Sequence, residues 1–264
     1  NGMNVFLMWF NLHRQTYANV ADGAVASPKT EEQKEASVAA FQNQHFRLAL
    51  AYSIDRATYQ SQTVGEDLKE VSLRNSYTPA TFASLSEDVT VDINGESVTF
   101  PAGTFYGEIV QAQVDADGYP FKVWNAETNS GDGYDGWYSP ENAMAEMELA
   151  IQELAEMGYE VSAENPVMID YPYASYNETA ANQGYVLKTS IETALNGLVQ
   201  INLLDCTDGT EFQNTWFNTQ NGSEYNYDMG GIGGIGADFG DPETFLNGLL
   251  PYGDGWVTAK MGLW

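Results

Sequence analysis

Two helix-patterned segments and two short apolar runs alternate between Ser139 and Leu204, and that rhythm constrains the fold more than any other feature of the chain. Ser139 followed by Pro140 reads as a helix start: a serine hydroxyl accepts from the free N–H groups of a first turn, and a proline there forfeits no donor that is needed. Met144, Met147, Ile151 and Leu154 then recur on one face until Gly158 ends the helix. Glu146, Glu148, Glu153 and Glu156 lie opposite, as a solvated acidic face. Val167-Met168-Ile169 reads as a strand, residues 177–196 as a helix carrying Leu187, Ile191 and Leu195, and residues 199–204 as a second strand. A parallel neighbour needs a crossover and a helix supplies it, so the pattern predicts an α/β layer architecture with a largely parallel sheet.

Upstream, Val5 to Phe10 is a continuous apolar run of the kind that forms a strand buried on both faces. A polar stretch, Ala18 to Lys29, separates it from a segment rich in Ala, Gln and Glu from Glu31 to Ile54, which reads as one long helix or two consecutive ones. Thr30 with Gln33 makes a capping-box pattern at its start. Val89, Val91 and Ile93 alternate with polar residues, and Asn94-Gly95 precedes Val98 and Phe100, which predicts a β-hairpin with a type I′ turn. Glycine- and aspartate-rich loop is expected from there to Tyr138, and a third helix over about 210–218. No internal repeat is detectable. The 264 residues read as one α/β lobe, with 78–138 as a loop and hairpin insertion.

Charge narrows the function classes. Ten Lys+Arg stand against 37 Asp+Glu, a net −27, which repels phosphate backbones and anionic lipid alike, so nucleic acid is excluded as a partner. A single cysteine, Cys206, forms no internal disulfide and no cysteine-based zinc cage. His13 and His45 stand in no metal-ligand or triad spacing and read as structural. Asp115-Ala116-Asp117-Gly118 has the opening of a calcium loop, but Ala126 falls where the closing carboxylate belongs, leaving a surface loop. No cofactor is implied. Trp9, Trp124, Trp137 and Trp216 read as core or packing residues before groove residues. No stretch approaches the roughly 20 apolar residues of a membrane helix. Residue 1 is Asn and no basic leader precedes the first strand, so the sequence reads as a processed or excised piece.

The most unusual segment is Gly230-Gly231-Ile232-Gly233-Gly234-Ile235-Gly236-Ala237-Asp238-Phe239-Gly240-Asp241-Pro242. Part of it fits G-x-G-x-x-G, yet no helix opens on the last glycine, and too little chain follows for a dinucleotide fold. So many glycines weaken a strand unless another group must approach its backbone, which marks the segment as facing a site. Asp238 then stands at the end of a glycine-rich strand, either as a carboxylate for a ligand ammonium or as the cap of a turn. Asp241 before Pro242 reads as the cap of the helix that follows.

These residues resemble a known family. Gly236 to Asn247 is similar to the G-A-D-Y-x-D-P-x-T-F-L-N signature of the oligopeptide- and dipeptide-binding proteins of ABC importers, extracellular solute-binding protein family 5. Phe46 to Arg56 resembles that family's F-R-x-A-L-x-x-A-I-D-R helix, Asn4 to Asn11 the strand before it, and the helix ending Glu156-Met157-Gly158-Tyr159 its A-x-x-L-L-x-E-A-G-Y stretch. The resemblance implies the second lobe of a two-lobed clamp, of the type II periplasmic-binding-protein kind, with a mixed sheet flanked by helices. It implies peptide capture without bond-making chemistry, delivery to a membrane permease, an extracytoplasmic location by lipid anchor or in a periplasm, and a first lobe as partner. The site residues it implies are Ile235, Gly236, Ala237, Asp238 and Phe239, with the peptide α-amino group on Asp238. Ile235-Gly236 departs from the Trp-Cys or Trp-Gly that peptide binders often carry, which keeps a sugar or metal-chelate ligand open. An acidic secreted hydrolase using paired carboxylates is the reading from a different class.

Overall fold

The first apolar run forms β1 (Val5–Phe10) in the computed structural model, which describes residues 4–17, 25–216, 222–250 and 255–263. Burial on both faces does not hold for β1: Val5 and Trp9 are buried while Phe6 is 72% exposed, because only one side of its outer end meets core. The helical stretch is two helices, α1 (Glu31–Gln42) and α2 (Gln44–Ser53), broken at Asn43. Thr30 and Gln33 make the capping box. Asn43 leaves helical geometry at ψ 129° and accepts from the Phe46 N–H at 2.9 Å, so one residue ends a helix and caps the next. Asp55 likewise caps α3 (Arg56–Val64) by accepting from the Thr58 N–H at 2.8 Å.

The hairpin pairs β2 (Val89–Ile93) with β3 (Glu96–Phe100), and Asn94 and Gly95 both take positive φ, 53° and 86°. A type I′ turn requires both. The stretch to Tyr138 is not all loop, as the sequence reading has it, because α4 (Tyr106–Ala116) lies within it. Gly107 disguises that helix: a Cβ there would stand 2.5 Å from the Ala80 Cβ and 2.8 Å from the Trp124 ring, so close packing fixes the glycine. Asp115 to Gly118 is accordingly the end of α4 rather than a surface loop, with Asp115 paired to Lys122 at 2.7 Å.

The second half follows its pattern as α5 (Pro140–Glu156), β4 (Val167–Ala174), α6 (Glu178–Ala194), β5 (Val199–Cys206), α7 (Gly209–Trp216), β6 (Met229–Ile235), α8 (Glu243–Leu246) and α9 (Trp256–Lys260). Both central strands outrun their expected ends at Ile169 and Leu204: the charged Asp170 that seems to stop β4 is itself fully buried, and β5 stays paired with the longer β4 as far as Cys206. β4 and β5 pair in parallel from Val167 opposite Val199 to Ala174 opposite Cys206. β1 and β6 pair antiparallel, and the Asp228 N–H donates to the Asp170 carbonyl at 3.1 Å where the two pairs meet. The strands are therefore mixed in direction rather than largely parallel, with helices flanking them.

Phe46, Leu50, Met147, Leu154, Ile169, Leu187 and Ile191 are wholly buried between α2, α5, α6 and the parallel pair. Each such side chain contributes about 1.5–3 kcal/mol. The acidic side of α5 is only in part a solvated face: Glu146 meets His45 at 2.6 Å and Glu153 accepts from Asn43 at 2.6 Å, both on the α1–α2 side. Trp9 and Trp124 are buried, and Trp137 stacks on Phe121 at 3.7 Å, so these three are packing residues. The side chain of Trp216 and residues 18–24 lie outside the described residues.

Candidate functional site

Pairing with β1 decides what the glycine-rich strand can present. Val5 stands opposite Ile235, Phe6 opposite Gly234 and Leu7 opposite Gly233, and the register shifts by one residue before Met8 opposite Gly231. Side chains of β1 occupy the space that side chains of β6 would fill. A Cβ on Gly233 would lie 2.2 Å from the Trp9 ring, one on Gly230 would lie 3.1 Å from the Trp9 Nε1, and one on Gly231 would lie 3.1 Å from Met8. The glycines thus admit Trp9 and Met8 rather than a ligand, which corrects the sequence reading for residues 230–233. Trp9 is fixed in that slot by its indole N–H, which donates to the Tyr227 hydroxyl at 2.9 Å, and that hydroxyl donates to the Lys260 carbonyl at 2.9 Å.

Beyond Gly233 the strand emerges from this packing. Ile235 turns inward with Val5, Phe245 and Val257 into a second apolar cluster, and Ala237 packs against it. Phe82 meets Phe245 edge to face at 5.0 Å and anchors that cluster. Gly236, Asp238 and Phe239 are exposed, Phe239 by 50%. The Asp238 N–H donates to the Thr244 hydroxyl at 2.8 Å, which ties the ledge to α8. Among the described residues no hydrogen bond or ion pair engages the Asp238 carboxylate, which is left to solvent. Asp241 is not the helix cap: Pro242 holds that position, and the Asp241 carboxylate accepts from the Glu243 N–H at 2.9 Å, closing the turn that carries the chain from ledge to helix. The main chain is thus held through Thr244 while the carboxylate stands open to a cation.

The structure also assembles four charges that sequence reasoning missed. Arg14 meets Asp170 at 2.7 Å and Asp228 at 3.0 Å, Lys29 pairs with Asp228, and all four side chains are at most 2% exposed. Ser27 and Asn202 complete Asp170, and Asn226 accepts from Arg14 at 2.6 Å. Burial pushes the Asp228 carboxyl up, but Lys29 and Arg14 outweigh it and hold the group below the usual carboxylate range. A hydrolytic general acid needs the opposite, a carboxyl kept protonated near neutrality. Two carboxylates neutralised by two cations form a lock between the segment after β1 and the strands β4 and β6. Among the described residues no group of three or more His, Cys, Asp or Glu is arranged to hold a metal ion. An open hollow of about 490 Å³ lies elsewhere, between α1 and the turn after α5, lined by Tyr17, Lys34, Val38 and Tyr159 and by none of residues 235–239.

No family model matches the chain. It is 30% identical over 256 residues to the oligopeptide-binding protein SarA of Streptococcus gordonii, covering 96% of this chain and 34% of that protein. It is 28% identical over 249 residues to the oligopeptide-binding protein AliA of Streptococcus pneumoniae, covering 93% of this chain and 33% of that one. The chain therefore spans about a third of the length of the curated relatives it matches. Among solved structures it is similar to the substrate-binding domain of an oligopeptide ABC transporter from Bacillus anthracis, at 17% identity and a TM-score of 0.49, over 100% of this chain and 35% of that one.

Proposed function

We propose that this chain is one of the oligopeptide-binding proteins to which its sequence is similar, that it is one lobe of a two-lobed receptor, and that it holds the α-amino group of a peptide on Asp238. Residues 1–264 make up that lobe, of the type II periplasmic-binding-protein kind, and residues 78–138 are its loop and hairpin insertion. The receptor captures its solute outside the cytoplasm, anchored by lipid at the cell surface or free in a periplasm. It hands the solute to the permease of an ABC importer, and no bond is made or broken.

The observation that carries this reading is the ledge after β6, where an exposed carboxylate stands on main chain fixed through Thr244. A charge-assisted hydrogen bond from a ligand ammonium contributes about 1.5–3 kcal/mol, more of it when closure excludes water. The net charge of −27 draws a cationic amino group toward the molecule. Main-chain hydrogen bonds along an extended peptide add affinity that is largely blind to side-chain sequence. A clamp shifts toward closure only when the ligand interacts with both lobes, so one lobe presents a wall rather than an enclosed pocket. The 490 Å³ hollow, which touches none of the ledge residues, is for that reason not taken as the site. Calorimetry tests the reading: the intact receptor binds short peptides, and Asp238→Asn weakens them by about tenfold or more. Unchanged affinity in that variant removes Asp238 from the site.

A further inference from the structure

Phe6 is the most exposed large apolar side chain of the described residues. Met8 and Phe10, which alternate onto the same face of β1, pack against the main core, so this apolar face continues past the core that covers it. Across the pair Phe6 meets Gly234, where an added Cβ would stand 3.0 Å from its ring, so the phenyl lies against bare main chain. Asn4 repeats the arrangement one step out, its Oδ1 2.9 Å from where a Cβ on Gly236 would be. Val5 and Ile235, between them, point the other way into the second apolar cluster. One face thus carries a phenyl ring, an amide and two glycines, and it leads in four residues to Asp238. Four residues span at most about 14 Å, the reach of a similar number of residues in an extended peptide.

We infer that Phe6, exposed and seated on the main chain of Gly234, forms an apolar subsite for one hydrophobic side chain among the first few residues of the bound peptide. The inference rests on Asp238 holding the amino end, and continuity of the two surfaces joins them. Gly234 and Gly236 make room for Phe6 and Asn4, so a ligand meets the outer side of the ring, and because side chains of an extended ligand alternate in direction the ring selects at one position instead of along the whole chain. Phe6 is accordingly a specificity residue, where Asp238 binds every peptide alike.

The test uses the intact receptor and calorimetry with penta-alanine and four variants of it carrying a single leucine at positions 1 to 4. The wild type prefers one leucine peptide over penta-alanine by about tenfold. Phe6→Ala reduces that preference to about twofold or less, Phe6→Leu keeps most of it, and Asp238→Asn weakens all five peptides together. The subsite is overturned if Phe6→Ala leaves the preference intact. It is also overturned if Phe6→Ala lowers every affinity equally together with the melting temperature, which assigns Phe6 to a contact with another part of the receptor. A wild type that binds none of the peptides overturns the peptide reading and this one together. Loss of affinity in Asp238→Asn with an intact preference in Phe6→Ala overturns the subsite alone.

Discussion

Asp228→Asn is a nearly isosteric change that tests whether the buried charges act as a lock. In the native protein Arg14 and Lys29 balance Asp170 and Asp228, with side chains at most 2% exposed. The variant carries one uncompensated positive charge in the same place. Asp228 accepts from Arg14 at Oδ1 and from Lys29 and the Asp170 N–H at Oδ2. An amide accepts at only one of these positions and turns an NH₂ toward donors at the other, whichever way it flips. Breaking a buried pair from one side costs about 3–5 kcal/mol, a large share of the roughly 5–15 kcal/mol that stabilises a folded chain. At roughly 2–4 °C per kcal/mol for a chain near this length, the melting temperature falls by about 6–20 °C. Urea unfolding followed by circular dichroism at pH 7 measures the loss directly, with unchanged slope showing that only stability moved. Adding Lys29→Met to the variant restores neutrality and recovers about half of the loss or more, a coupling a double-mutant cycle reads out. A loss below about 1 kcal/mol, or strict additivity in the cycle, refutes the lock. The same pair sets an acid limit: Asp228 titrates lower folded than unfolded, so its contribution is present above about pH 4 and is lost as pH falls through the depressed folded value.

Two other predictions follow from the packing around β1. Gly233→Ala places a methyl 2.2 Å from the Trp9 ring and displaces the indole from Tyr227, so it destabilises by about 1–3 kcal/mol with altered near-ultraviolet dichroism; a melting temperature equal to that of the wild type contradicts the close fit. Lys260 is buried beside the rings of Tyr225 at 5.0 Å and Trp9 at 5.5 Å, and burial lowers its ammonium from 10.5 to about 8. The unfolded chain then binds more protons than the folded one above pH 8, so stability rises between about pH 7.5 and 9, and Lys260→Met flattens that slope. Above about pH 9 the buried Cys206 thiol, pushed up to about 11, acts in the opposite direction. A flat wild-type urea midpoint across this window contradicts the lysine reading.

What could be read in the chain beforehand was whatever local chemistry dictates. The Thr30–Gln33 box, the Ser139-Pro140 start and the Asn94-Gly95 turn each rest on residues within four positions of one another, and each is found where the spacing places it. The order of strands and helices after Ser139 was legible for the same reason. Long-range packing was not. α4 hides behind Gly107, whose absent side chain answers to Ala80 and Trp124. The glycines of β6 advertise close approach correctly, but the approaching groups at 230–233 are Trp9 and Met8, more than two hundred residues away. The four-charge lock draws on positions 14, 29, 170 and 228, and its only local trace is a carboxylate inside the apolar run of β4. The five residues from Ile235 to Phe239 were singled out by their motif, and the structure divides them into an inward pair, Ile235 and Ala237, and an outward set that includes Asp238.

Everything functional turns on whether the Asp238 carboxylate receives a ligand amine, and a two-by-two calorimetric cycle asks this most directly. A peptide with a free amino end and its N-acetylated form are each titrated into the intact native receptor and into its Asp238→Asn variant. In the native receptor, acetylation weakens binding by about tenfold or more; in the variant, both peptides bind alike at the weakened level, because the partner of the amine is already gone. If acetylation and the substitution weaken binding independently, or if the variant binds the free peptide as tightly as the native receptor does, the carboxylate does not hold the amine.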